Sequence, residues 1–186
     1  MKLLVAALDS ELVAFPDPLP GFDRLVTGPG KLQAAYALTR ALETGRYDEI
    51  VVVGTAGSVD ASLPRAVHEV SEALQHDVTD IDGVVGQHIS LPARVHTSIP
   101  GGVTIATGDS FVDDAAVTAR IRSLGAVLVD METYVYIWVA RQRGVPVRVL
   151  KAVSDDAEDD AITDWRAAVT ACSGQLRERM RELYGV

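Results

Sequence analysis

The chain has 186 residues, 48% of them hydrophobic and 23% charged, with a formal net charge of −9. That length predicts one domain, residues 1–186, able to bury a sizeable core. The charge argues against a nucleic-acid partner, which needs a basic footprint, and no stretch reaches the roughly 18 unbroken apolar residues of a membrane span.

Lys2–Leu8 is apolar throughout and predicts a strand buried on both faces. Asp9 and Glu11 follow at once, so an internal strand fits better than a signal peptide. Asp9-Ser10-Glu11 reads most simply as a helix N-terminus; a carboxylate at the strand's C-terminal end is the other reading. Pro16, Pro18, Pro20 and Gly21 predict a loop, and Arg24–Thr27 a short strand. Gly28-Pro29-Gly30-Lys31 is a tight turn before a helix from about Leu32 to Thr44. It lacks the third glycine of a dinucleotide fingerprint and the Gly-Lys-Ser/Thr of a phosphate loop. It therefore reads as a turn that lets the helix pack closely on a sheet. Glu49–Val53 is a strand, and Gly54–Ser58 after it is either a plain turn or a backbone that a ligand can approach.

Arg65–Val70 predicts another strand, leading into Ser71–Thr79. His76-Asp77 reads more readily as a loop hydrogen bond than as a paired base. The four histidines show no metal-ligand spacing, and no cofactor is expected. Asp80–Gly102 is edge strand or loop. Val103–Ala106 is a strand, followed by Phe111, which could stack on a flat base or belong to the core. Asp113–Leu124 is a helix. Val127–Asp130, Thr133–Arg143 and Val147–Val153 read as strand, helix and strand, the helix stopped by Gly144 and Pro146. Such a unit is a parallel crossover whose strands end at one sheet edge. Glu132 follows the first strand and Asp155 the second, and two acids converging on one crevice begin an acid/base or sugar-hydroxyl site. The acidic run Asp156–Asp160 lacks the glycine and terminal glutamate of a calcium loop and reads as solvated. Thr163–Leu183 is a final amphipathic helix. It holds the only cysteine, Cys172, which points to a reducing cytoplasm. Five strands thus end in polar or small clusters, at Glu11, Thr55–Gly57, Phe111, Glu132 and Asp155. If the strands are parallel, all five meet at one crevice.

These pieces occur in order as AALDSEL (6–12), TGPGKLQAAYAL (27–38), VVVGTAGSVDASL (51–63), SEALQHDVT (71–79), ATGDSFV (106–112), VDMETYVYIWVARQRGVPV (129–147) and KAVSDDAED (151–159). Together they resemble the purine nucleoside phosphorylase/nucleosidase superfamily, and within it most of all the bacterial methylthioadenosine/S-adenosylhomocysteine nucleosidases. The resemblance implies an α/β fold, a single-domain three-layer α/β/α arrangement around a central mixed, mostly parallel sheet. It implies cleavage of a purine–ribose N-glycosidic bond in adenine nucleosides. The sugar then becomes oxocarbenium-like, which favours nearby carboxylates, and adenine needs a general acid to leave. By resemblance Asp155 is that acid, acting at the purine N7 with Ser154 beside it. Glu11 would hold and activate water. Glu132 would bind the ribose hydroxyls over Met131, and Phe111 would stack on the base. The backbone of Val112 would read the adenine edge, Ala56 and Gly57 would lie along the nucleoside, and Leu8 and Trp165 would wall the pocket.

Asp130 stands where the family has the first glutamate of its E-M-E triplet, and Lys151 where it often has arginine. The chain is also shorter than usual members, the gap falling between about Pro92 and Val103. Members are commonly homodimers in which a partner loop closes the pocket, and residues 79–92 match that loop loosely. Two alternatives stay open at this point: a phosphate-dependent nucleoside phosphorylase, and a nucleoside-binding protein without turnover.

Overall fold

The structure, a computed structural model, describes residues 1–155 and 165–186, with the backbone alone for 165–167. The run Asp156–Asp160 and the predicted helix start at Thr163 lie outside the described residues. Eight strands form one sheet: β1 (Lys2–Ala6), β2 (Phe22–Val26), β3 (Glu49–Ser58), β4 (Val67–Gln75), β5 (Arg94–His96), β6 (Val103–Thr107), β7 (Leu128–Asp130) and β8 (Val147–Asp155). Among the described residues the helices are α1 (Lys31–Thr44), α2 (Ala115–Ser123), α3 (Thr133–Gln142) and α4 (Trp165–Tyr184). A 3-10 turn, Asp9–Leu12, follows β1.

The apolar strands are covered on both sides, as their unbroken hydrophobic runs require. In β1 alternate side chains point to opposite faces. Leu3 and Val5 pack in a cluster with Ala34 and Leu38 of α1 and Tyr136, Ile137 and Ala140 of α3. Leu4 and Ala6 face the other way, against Cys172, Leu176 and Met180 of α4 and Leu12 of the 3-10 turn. Ile50 and Val52 against Val51 and Val53 repeat the pattern in β3. The result is three layers, helix, sheet and helix.

The sheet runs β2-β1-β3-β7-β6-β4-β5, with β8 pairing both β3 and β4. Its pairings β3–β8, β8–β4, β4–β6, β6–β7 and β7–β3 close a circuit. Parallel pairings predominate, but β3–β7, β4–β5 and β4–β8 are antiparallel.

Two expectations are corrected. The strand–helix–strand unit is not a neighbouring parallel pair, because β3 lies between β7 and β8. Nor does β3 stop at Val53: it continues to Ser58, so the small cluster lies inside the strand. A register shift between Ala56 and Gly57 separates its parallel pairing with β8 from its antiparallel pairing with β7. Such a bulge bends a strand, and here the small residues permit it. The strand ends therefore meet through this bend and not because all strands are parallel. The interval of the expected gap holds only the three-residue edge strand β5, paired antiparallel with β4.

Candidate active site

The bend brings Leu8, Glu11, Ala56, Gly57, Phe111, Val112, Met131, Glu132, Ser154 and Asp155 around one open cleft. Pro29, Thr55, Ser110 and Asp130 also line it, and no basic side chain does so among the described residues. Phe111 is 46% exposed and Val112 is buried, and both line the cleft. The Trp165 side chain lies outside the described residues.

Glu11 is held in the 3-10 turn after β1 and is almost wholly buried. Its Oε2 accepts the Ala7 and Leu8 N–H groups at 3.1 and 3.0 Å. Its Oε1 accepts the Thr55 N–H at 2.7 Å and the Thr55 hydroxyl at 3.0 Å. Four donors fix this carboxylate tightly in place. They also tie the end of β1 to β3. Gly54 makes the approach possible: a Cβ there would stand 3.0 Å from Glu11 Oε1 and 3.1 Å from Lys151 Nζ.

Glu132 opens α3 just beyond β7. Its Oε1 accepts the Gly30 N–H at 2.7 Å. Burial first, and then the charge of Asp130, push its carboxyl up to about 7, against the opposing pull of Lys151 and the Gly30 N–H. The Gly28–Lys31 turn therefore does more than seat α1. Gly30 has a φ of 92°, a conformation that side chains other than glycine's rarely adopt, and this aims its N–H at Glu132. The turn is braced from outside: the Lys31 N–H meets Asp109 at 2.8 Å and its Nζ meets Asp77 at 2.8 Å.

Beneath Glu132 lies a buried ion pair, Lys151 Nζ to Asp130 Oδ2 at 2.9 Å, both side chains almost inaccessible. Asp130 also accepts the Thr107 hydroxyl at 2.7 Å and the Thr133 N–H at 3.0 Å. Burial alone would depress the lysine, but the carboxylates of Asp130, Glu11 and Glu132 outweigh it and raise its pKa. The two departures seen in the sequence, Asp130 and Lys151, are thus each other's partners. Asp155 ends β8, where the Ser154 hydroxyl donates to its Oδ2 at 2.6 Å.

His76 and Asp77 form no hydrogen bond with each other. His76 is buried with neither ring nitrogen hydrogen-bonded among the described residues, and burial lowers its pKa. Asp77 serves the Lys31 brace and accepts the Asp109 N–H at 2.9 Å. Among the described residues no group of three or more His, Cys, Asp or Glu is arranged to hold a metal ion, and no helix is long and apolar enough to cross a membrane.

Sequence reasoning placed Thr55 at the crevice but missed its bonds to Glu11; it also missed Pro29 and Gly30, read as mere packing, and the Asp130–Lys151 pairing. The last had a signal, since both departures from the expected pattern exchange one member of an opposite-charge set.

Comparison with known proteins bears on the family and the fold. The chain is 33% identical to a 5'-methylthioadenosine/S-adenosylhomocysteine nucleosidase of Bacillus licheniformis over 156 residues, 72% of this chain and 67% of that one. It is 30% identical to the Shewanella oneidensis protein of the same name over 185 residues, 87% of this chain and 78% of that one. Its fold matches the Streptococcus pyogenes S-adenosylhomocysteine nucleosidase, crystallised with 5-methylthiotubericidin, at a TM-score of 0.87 and 22% identity, over 100% of this chain and 97% of that one. It matches the Helicobacter pylori futalosine hydrolase at 0.89 and 19%, over 99% and 97%. The profile of the Phosphorylase superfamily matches residues 68–184, and with these relatives it shows that the chain belongs to that superfamily.

Proposed function

We propose that the protein is a nucleosidase, hydrolysing the N-glycosidic bond of adenine nucleosides such as methylthioadenosine or S-adenosylhomocysteine. One observation carries this reading: the cleft gathers Glu11, Glu132 and Asp155 and is lined by no basic side chain among the described residues. A dianionic phosphate would need arginines or clustered donors there. Lys151 is buried and held by Asp130, and its side chain does not line the cleft.

In this mechanism Asp155 gives its proton to N7 as the bond from C1′ to N9 breaks and its electron pair passes to the base. Glu132, ionised, accepts hydrogen bonds from the ribose hydroxyls. The oxygen of water attacks C1′ and its proton passes to Glu11. Three of the donors on Glu11 are backbone N–H groups and cannot turn away. The Thr55 hydroxyl can rotate, and the place it leaves on Oε1 suits that water. Phe111 stacks on the base and Val112 presents its backbone to the adenine edge. A homodimer belongs to the same proposal, since Ile81, Val84 and Ile89 leave exposed apolar side chains in the segment expected to meet a partner.

The test is a panel of nucleosides, methylthioadenosine, S-adenosylhomocysteine, adenosine and futalosine, assayed for free base. Release of adenine from the first two is expected. Binding of these nucleosides with no base released from any would favour the non-catalytic alternative.

A further inference from the structure

Glu11 is the third residue of the 3-10 turn Asp9–Leu12, and the backbone series of that turn is interrupted just after it. The Glu11 N–H bonds to the Leu8 carbonyl at 3.1 Å and the Phe15 N–H to the Leu12 carbonyl at 2.9 Å. Between them, the bond from the Ala14 N–H to the Glu11 carbonyl would continue the series. A side chain from 159 residues away stands there instead. The Ser173 hydroxyl of α4 accepts the Ala14 N–H at 3.1 Å and donates to the Glu11 carbonyl at 2.8 Å. Ser173 is completely buried. Its neighbour Cys172 packs its sulfur 3.6 Å from the carbonyl of Val153, two residues before Asp155. One turn of α4 thus touches the backbone beneath both proposed catalytic carboxylates.

We propose that Ser173 is a positioning residue for Glu11, its inserted hydroxyl setting the height of the Glu11 backbone relative to the cleft. This rests on the reading of Glu11 as the group that activates water. The side chain of Glu11 is fixed by Ala7, Leu8 and Thr55, so its carboxylate cannot follow a backbone shift without straining those bonds. Removing the hydroxyl lets the turn close on itself, with the Ala14 N–H meeting the Glu11 carbonyl directly, and the shifted backbone strains the four bonds that set the carboxylate against the attacking water. Substrate contacts on the base and sugar come from Phe111, Val112 and Glu132 and are untouched. The loss therefore falls on turnover and not on binding. A misplacement of about 1 Å can cost on the order of 100-fold, so a fall in kcat of roughly 10–100-fold is expected.

The experiment measures adenine release from methylthioadenosine by four variants, with Tm recorded for each. Ser173→Ala should lower kcat by about 10–100-fold with KM nearly unchanged. Ser173→Cys keeps a weak donor and acceptor in place and should recover part of kcat; if Ser173→Ala does not fold, it carries the test alone. Met180→Ala, in the apolar cluster of Cys172 and two turns further along α4, should lower Tm without lowering kcat. Glu11→Gln should lose most turnover. Wild-type kcat in Ser173→Ala and Ser173→Cys beside an inactive Glu11→Gln would overturn the positioning role alone. So would a loss of kcat that merely tracks Tm in Met180→Ala as well. Full turnover by Glu11→Gln would overturn the reading of Glu11 and the positioning role with it.

Discussion

Replacing Glu132 by glutamine should stabilise the protein at alkaline pH while disabling it. The carboxyl is raised from 4.5 to about 7 by burial and by Asp130. Its folded-state pKa thus exceeds its unfolded one, so the folded chain holds an extra proton between those values. The stability this brings is fully present below about 4.5 and is lost as pH rises through about 7. At 1.36 kcal/mol per unit, the loss is on the order of 3 kcal/mol. Glutamine keeps the size and an acceptor for the Gly30 N–H but has no charge to bury. Urea denaturation should therefore find Glu132→Gln more stable than the wild type at pH 8, by about 1–3 kcal/mol. The gap should shrink steadily as pH falls towards 4.5. The same variant should lose base release from ribonucleosides, the stability–activity opposition expected where a charge is kept buried for function. A variant less stable than wild type at pH 8, or a gap that ignores pH, would refute the argument.

In the proposed mechanism ribose hydroxyls donate to the anion of Glu132, so binding should expel its proton. Methylthioadenosine should bind more tightly as pH rises through about 7, measurable by titration calorimetry in buffers of different ionisation enthalpy; a flat profile would count against it. Asp155→Asn keeps the shape but cannot deliver a proton, and should lose about 10²–10⁴-fold in turnover while remaining folded; near-normal turnover would remove Asp155 from the mechanism. Lys151→Met leaves Asp130 buried without its counter-charge and should cost about 3–5 kcal/mol in denaturant unfolding. The double variant Lys151→Met/Asp130→Asn should recover much of that, and no recovery would mean the two are not a coupled pair.

Much of the fold could be read from local pattern. The helix predicted over Leu32–Thr44 runs Lys31–Thr44, and that over Thr133–Arg143 runs Thr133–Gln142, because Gly45 and Gly144 are strong stops. Glu11, Glu132 and Asp155 stood out because each carboxylate follows an apolar run. The pairing of β3 was not legible. Gly54, Ala56 and Gly57 carry a turn's composition, and only the opposing strands β7 and β8 show that they are a bent strand. The Gly30 N–H on Glu132 and the Ser173 hydroxyl on the Glu11 carbonyl were equally hidden. They join residues 102 and 162 apart, and one partner in each is backbone, which leaves no trace in side-chain pattern. Asp130 and Lys151 were noticed singly, but their ion pair depends on the register that sets β8 beside β3.

The central claim is that water, and not phosphate, takes the sugar. It is tested most directly by incubating the protein with methylthioadenosine in phosphate-free buffer and identifying both products. The account predicts free adenine and the free methylthio-sugar, at a rate that added phosphate does not raise. Adenine release that appears only with phosphate, with a sugar 1-phosphate as the second product, would contradict it.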